Sequence, residues 1–287
     1  MRGEDASLRG VIGRADLCEL LARAFAFPDG ALATAVLDGA LEADCRGCLA
    51  DMGCAMPGDE GDGLGGDAGA CAAGGPGDGA GVCDAAGVDG GLHGDGDANA
   101  PVAEDVGFGA DGAMSVDELR ARMGREYSRL YLNLACPLIY PYESAFLHVA
   151  SGAQGKPALF RTRVTLDVEA QMREAGVAAA DGRVEPCDSI ADEFAFLSYL
   201  YGSLAAAMHA GDEGAQDLWR GRIERFLGDH VLAWLPGCML MTAERTREGI
   251  YRRLARVALA LLDNLRCSPD AVGAEKGALP SEKEGFR

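Results

Sequence analysis

Residues 188–204 read DSIADEFAFLSYLYGSL. Ile190, Phe194, Leu197, Tyr201 and Leu204 recur at intervals of three and four, the spacing that lines one face of an α-helix. Asp188 stands where a short carboxylate caps a first turn. A half-buried strand would instead alternate polar and apolar residues, and this stretch does not.

The same period extends in both directions. Toward the amino terminus, Leu17, Leu20, Leu21, Ala24 and Phe25 form a stripe that stops at Pro28, and Leu32, Val36, Leu37 and Leu41 predict a second, shorter helix. Ser115 followed by Glu118 has the form of a capping box, and Leu119, Met123, Tyr127, Leu130 and Leu134 then mark one helical face that ends at Pro137. From Leu138 to Pro157 the prolines and glycines predict irregular chain with one short helix, a natural hinge. Val164, Val168, Met172 and Ala175 mark the next helix, with Gly176 at a left-handed cap. Beyond the 188–204 helix, Trp219, Ile223, Phe226, His230 and Trp234 share a face up to Pro236. Ile250, Leu254, Val257, Leu261 and Leu265 complete the last one. The expected fold is all-α, a single-domain bundle of about seven to nine helices. Each such side chain contributes roughly 1.5 to 3 kcal/mol on burial, so packing these stripes together is the main source of stability.

Composition breaks sharply at residues 53–113, where 20 Gly and 12 Asp or Glu occur with no Lys or Arg. Such a segment buries too little apolar surface to offset chain entropy and reads as a long disordered acidic Gly-rich insertion. The predicted organisation is therefore helices of the domain over 1–52, the insertion over 53–113, the remainder of the all-α domain over 114–266, and a flexible tail over 267–287. The insertion holds 12 of the 19 net negative charges, so the folded body is only moderately acidic. That balance disfavours nucleic acid and suits a basic peptide.

No stretch approaches the roughly 18 to 20 apolar residues of a membrane span, and the amino terminus lacks a signal peptide's pattern, which predicts a cytoplasmic protein. In that compartment the 10 cysteines read mostly as free core or loop thiols rather than a disulfide framework. Motifs for catalysis are missing from the sequence: no G-x-S-x-G elbow, no H-E-x-x-H, no Gly-rich dinucleotide turn, and the Gly155-Lys156 pair runs into Pro157. No catalytic residue and no cofactor are expected. Cys45 and Cys48, with Cys54 nearby, have C-x-x-C spacing but no second pair at matching distance, so a metal-binding or redox-active helical protein is the rival reading. Asp95, Asp97 and Asn99 begin like a calcium loop, but Ala100 replaces its glycine and Val106 its closing glutamate. His230, on an apolar face, reads as a hydrogen-bonded packing residue or as a ligand, and Asp188 as a cap or a binding residue; spacing alone does not separate these.

The run Glu185, Pro186, Cys187, Asp188, Ser189, Ile190, with Glu193, Phe194 and Leu197, resembles the E-P-x-D-H-I-x-x-E-L signature of the TorD/DmsD family of redox-enzyme maturation chaperones. Phe226, Leu227, His230, Val231, Trp234 and Pro236 are similar to that family's F-L-x-x-H-L-x-x-W-x-P segment, and Tyr142, Glu143 and Ser144 to its Y-E-S stretch. Three blocks occur in the family's order. The resemblance covers about 190 residues from Asp16 to Leu265 with the insertion left out. It implies a non-enzymatic chaperone that binds the twin-arginine signal peptide and the apo form of a molybdopterin oxidoreductase until the cofactor is inserted. A nitrate-reductase-type assembly subunit differs from it chiefly in client. The implied peptide-binding residues are Tyr142, Glu143, Asp188, Ser189, Glu193, His230 and Trp234, with Asp188 and Glu193 as acidic contacts. Ser189 stands where the family pattern has histidine, so a role for that imidazole does not transfer. The insertion either guards the groove or is an untethered loop, and exchange of helices between two protomers through the 138–157 hinge is left open.

Overall fold

The computed structural model describes residues 2–58, 114–132, 137–177 and 186–267. They form α1 (Arg2–Ala24), α2 (Gly30–Leu37), α3 (Ala40–Asp51), α4 (Val116–Tyr131), α5 (Glu143–Ala150), α6 (Arg163–Glu174), α7 (Ile190–Ala210), α8 (Glu213–Phe226), a π turn (Leu227–Val231), α9 (Leu232–Arg245) and α10 (Gly249–Cys267). Because α8, the π turn and α9 make one continuous rod, these segments amount to nine helical bodies. Among the described residues no strand occurs, only an isolated bridge between Tyr142 and Ser189. The fold is all-α, as the periodicity predicts. Residues 59–113 of the acidic insertion and the tail after Cys267 lie outside the described residues, as do Leu134 and Glu185.

The 188–204 stretch becomes the centre of the bundle. α7 packs along α1 on one side and against α8 on another, and its side chains show why. Phe194 stacks on Phe25, just after α1, with centroids 6.4 Å apart, while Phe196 meets Phe226 edge-on at 4.7 Å. Phe196 and Leu200 lie off the predicted face and are buried too, so α7 is apolar over a wide arc, as a helix between two neighbours must be. α10 packs on α9 and α1, and α2 on α4 and α3. Buried Glu126 of α4 fixes the turn between α9 and α10. It accepts hydrogen bonds from Thr246 at 2.9 Å and from the Arg247 backbone at 2.6 Å, and pairs with Arg129 at 2.7 Å.

The structure corrects two local expectations, at Leu41 and at Pro236, and adds a helix that the periodicity leaves undescribed. Leu41 does not extend the second helix, because Gly39 adopts a left-handed φ of 78° and the chain starts again as α3. α3 itself has an apolar stripe of Leu41, Cys45 and Leu49, all buried; Cys45 is a core residue at helical spacing, while Cys48 is half-buried. The second correction is that the rod does not stop at Pro236 but runs through it to Arg245. A proline inside a helix costs about 3 kcal/mol, yet Trp234, Leu235, Cys238 and Met239 around it are all buried, and side chains of that size contribute roughly 1.5 to 3 kcal/mol each. Burial wins. The wider π turn also takes up part of the drift that four-residue steps accumulate on an α-helix, which keeps Phe226, His230, Trp234, Cys238 and Thr242 facing inward.

Gly13 sets the closeness of α1 and α3. A Cβ there would lie 2.9 Å from the Cys48 carbonyl oxygen and 3.1 Å from Asp51 Cβ, so a backbone must move to admit it. Gly13→Ala is expected to lower stability in urea denaturation by about 1 to 3 kcal/mol, the usual cost of overpacking. A neutral or stabilising effect would show that the contact is not tight.

Candidate functional site

The three signature blocks meet at the start of α5. Its backbone is joined to the start of α7: Glu143 N donates to Asp188 O at 2.8 Å, and Ile190 N to Pro141 O at 3.0 Å. The first N–H groups of a helix need acceptors, and the sequence supplies them across the two helices. Ser189 caps α7, its Oγ accepting from Asp192 N at 3.1 Å and donating to Asp192 Oδ2 at 2.6 Å. The capping role that the spacing assigns to Asp188 therefore falls to Ser189. Fully buried, Asp188 accepts the Ser144 N–H at 2.9 Å and serves α5, which has no side-chain cap of its own. Negative charge is favourable at a helix amino terminus, whichever helix supplies it.

The rod contributes the third block. His230, on the π turn, places Nδ1 2.8 Å from Glu143 Oε2 of α5 and Nε2 3.0 Å from Asp167 Oδ2 of α6. One turn further, Trp234 Nε1 donates to Glu193 Oε2 of α7 at 2.8 Å. Gln171 of α6 donates to Asp167 at 3.1 Å and to Asp229 of the π turn at 3.3 Å. Glu143, Asp188, Glu193, His230 and Trp234 are all buried, whereas Asp167 and Asp229 are exposed and Tyr142 is half-buried. The seven residues named by resemblance thus come together. Glu193 and Asp188 point inward, so a peptide reaches their carboxylates only if the elements above them part. Asp167, Gln171 and Asp229 complete the cluster and were not foreseen. A single sequence carries no mark of a pairing between residues 63 positions apart.

Electrostatics divide the cluster into two parts. Burial, and next the neighbouring Glu143 carboxylate, hold Glu193 well above the usual carboxylate range, which favours its protonated form beside the Trp234 indole. At His230 burial opposes protonation, but the hydrogen bonds and charges of Glu143 and Asp167 outweigh it, and the ring's pKa is raised. Both ring nitrogens are engaged by carboxylates, which leaves neither to accept a proton from a nucleophile.

Cys45 and Cys48 lie on α3, away from this cluster. Burial, then Cys48 and the acidic neighbours, push the Cys45 thiol up to about 12. Burial, then Asp16, Asp44 and Asp51, push Cys48 up to about 11. The thiolate is the form that ligates or attacks, so both environments oppose the rival chemistry. Among the described residues no three His, Cys, Asp or Glu side chains are grouped to hold a metal ion. A cleft of about 450 Å³ beside Cys48, between α1 and α3, is lined by Asp16, Glu19, Asp44 and Asp51 with Leu20 and Gly47; none of the signature residues borders it.

A raised carboxyl pKa makes folding bind a proton more tightly than the unfolded chain does. The stability from Glu193 is then fully present below its ordinary value of 4.5 and is lost as pH rises through the raised value. Glu193→Gln keeps an acceptor for the indole N–H and has no proton to lose. Its stability relative to the unaltered protein should therefore improve between about pH 5 and about pH 8 in urea denaturation. A difference that does not change with pH would contradict the assignment.

The sequence of residues 102–239 matches the family model described as nitrate reductase delta subunit. Comparison with curated proteins and with solved structures returns no match.

Proposed function

Because residues 102–239 belong to the nitrate reductase delta subunit family, molybdoenzyme assembly chaperones related to the TorD/DmsD proteins, we propose that this protein holds the apo form of a molybdopterin oxidoreductase by its basic amino-terminal leader until the cofactor is inserted. It acts as a cytoplasmic binding protein rather than a catalyst, and it needs no cofactor of its own. The observation that carries this reading is the convergence of the Tyr142–Ser144, Asp188–Glu193 and His230–Trp234 blocks on one cluster.

A twin-arginine leader presents two guanidinium groups followed by an apolar stretch. Exposed ion pairs contribute only roughly 0.2 to 1 kcal/mol each, whereas each buried Leu or Phe contributes about 1.5 to 3. Affinity therefore rests on the apolar part, taken up beside Tyr142, Phe146 and Trp234; the Phe146 and Trp234 ring centroids lie 5.8 Å apart. Direction and selectivity rest on the carboxylates, with exposed Asp167 and Asp229 meeting the cations first and Glu143, Asp188 and Glu193 behind them. Among clients, the family match favours an oxidoreductase of the nitrate-reductase type over other twin-arginine enzymes.

Calorimetric titration of the full chain with a twin-arginine leader peptide tests the reading. Micromolar or tighter binding that weakens about tenfold or more when both arginines become glutamine is the expected result, since tenfold corresponds to about 1.4 kcal/mol. Equal affinity for the two peptides, or no binding of either, would refute it.

A further inference from the structure

α5 and α6 form a hairpin whose principal neighbours are each other, α9 and α8. Its inner side is unusually polar. α5 buries Glu143, Ser144 and Ala145, and α6 buries Thr165, Val168, Gln171 and Met172. Two of these polar contacts are incomplete, since Ser144 Oγ and Asp188 Oδ1 are buried without a hydrogen-bond partner. The connection between the two helices bends through left-handed Gly152 and Gly155, and at Arg161, where φ is 56°. The hairpin is thus held by specific polar contacts as well as by apolar packing, and with its own Glu143 it lies over Glu193 and Trp234.

One side chain reaches both of its helices from the rod. His230 engages Glu143 of α5 and Asp167 of α6 at 2.8 and 3.0 Å. We propose that the α5–α6 hairpin is a proton-operated cover over the signature cluster, closed while the His230 imidazolium bridges Glu143 and Asp167 and released when the ring gives up that proton. With a neutral ring, the buried Glu143 carboxylate loses its cation while still facing Glu193, and a buried charge left without a partner favours opening. The other charged groups around the latch are Asp188 at the start of α7, Asp229 on the π turn, and Arg225 of α8, which acts on Asp167 while pairing with Glu174.

The sign follows from linkage. Closure raises the pKa of His230, so the cover is fully latched below the ordinary value of 6.5 and loosens as pH rises toward the closed-state value, by at most about tenfold per pH unit for one proton. Glu193 drives opening in the same direction from lower pH, and Glu193→Gln removes its part. The latch stands without any assumption about the client; its effect on peptide binding rests on the function proposed above.

Hydrogen exchange of the full chain without peptide, followed by mass spectrometry from about pH 5.5 to about pH 9, brackets the ordinary histidine titration. After correction for intrinsic rates, α5 and α6 should lose protection several-fold or more relative to α7 as pH rises. The loss should persist in Glu193→Gln. In Asp167→Asn, altered at an exposed position that the fold tolerates, protection at the acid end should fall toward the alkaline level and the pH dependence should shrink. Protection of α5 and α6 that tracks α7 at every pH, or an unaltered profile in Asp167→Asn, would overturn the proposal. Adding the twin-arginine peptide separates the two claims. Opening with faster peptide association supports the cover as a gate, and opening with no peptide binding at any pH leaves the latch standing and sinks the client reading.

Discussion

A carboxylate taken out of water must find a partner or keep its proton, and besides Glu126 at the α9–α10 turn the described residues bury three of them, Glu143, Asp188 and Glu193, in the signature cluster. Each is resolved in a different way. Asp188 takes an orphan N–H at the start of α5. Glu193, whose pKa burial raises, accepts the Trp234 indole N–H. Glu143 is paired with a histidine whose other nitrogen reaches the exposed Asp167. The chain order of α5, α6, α7 and the π turn is locked by these contacts, which apolar packing alone would leave free to slide.

The rest of the bundle serves to make that arrangement rigid. α7 lies against both α1 and α8, so the Asp188–Glu193 block at its start is fixed from two sides. The π turn points His230 and Trp234 inward from one rod, although Pro236 follows directly. π turns inside α-helices often mark functional positions, and here it carries the only histidine of the cluster. By contrast α5 and α6, which close the cluster from outside, pack through short and partly polar faces. Rigid support beneath and a polar cover above are the arrangement that the proposed admission and release of a peptide would call for.

Most of the architecture was legible in the sequence because amphipathic helices announce themselves by period. The stripes at Leu17–Phe25, Leu119–Leu130, Ile190–Leu204 and Ile250–Leu265 all face the core. α3 escaped because Cys45, read as a free thiol, was not counted as a stripe position between Leu41 and Leu49. Pro236 misled because a local rule about one missing hydrogen bond says nothing of the burial around it. At the site, residue identities and block order were readable through resemblance. The inward direction of Asp188 and Glu193, and the contribution of Asp167 and Gln171, were not. Those depend on how α6 lies against the rod, a tertiary fact with no local signature.

The central claim is that the signature cluster, and not another acidic surface, receives the leader. A hydrogen-exchange footprint of the full chain with and without a saturating twin-arginine peptide tests it most directly. The account predicts new protection over Ile139–Ala150, Cys187–Phe194 and Phe226–Leu235, with the acidic cleft between α1 and α3 unaffected. Protection confined to that cleft, around Asp16, Asp44 and Asp51, would contradict it.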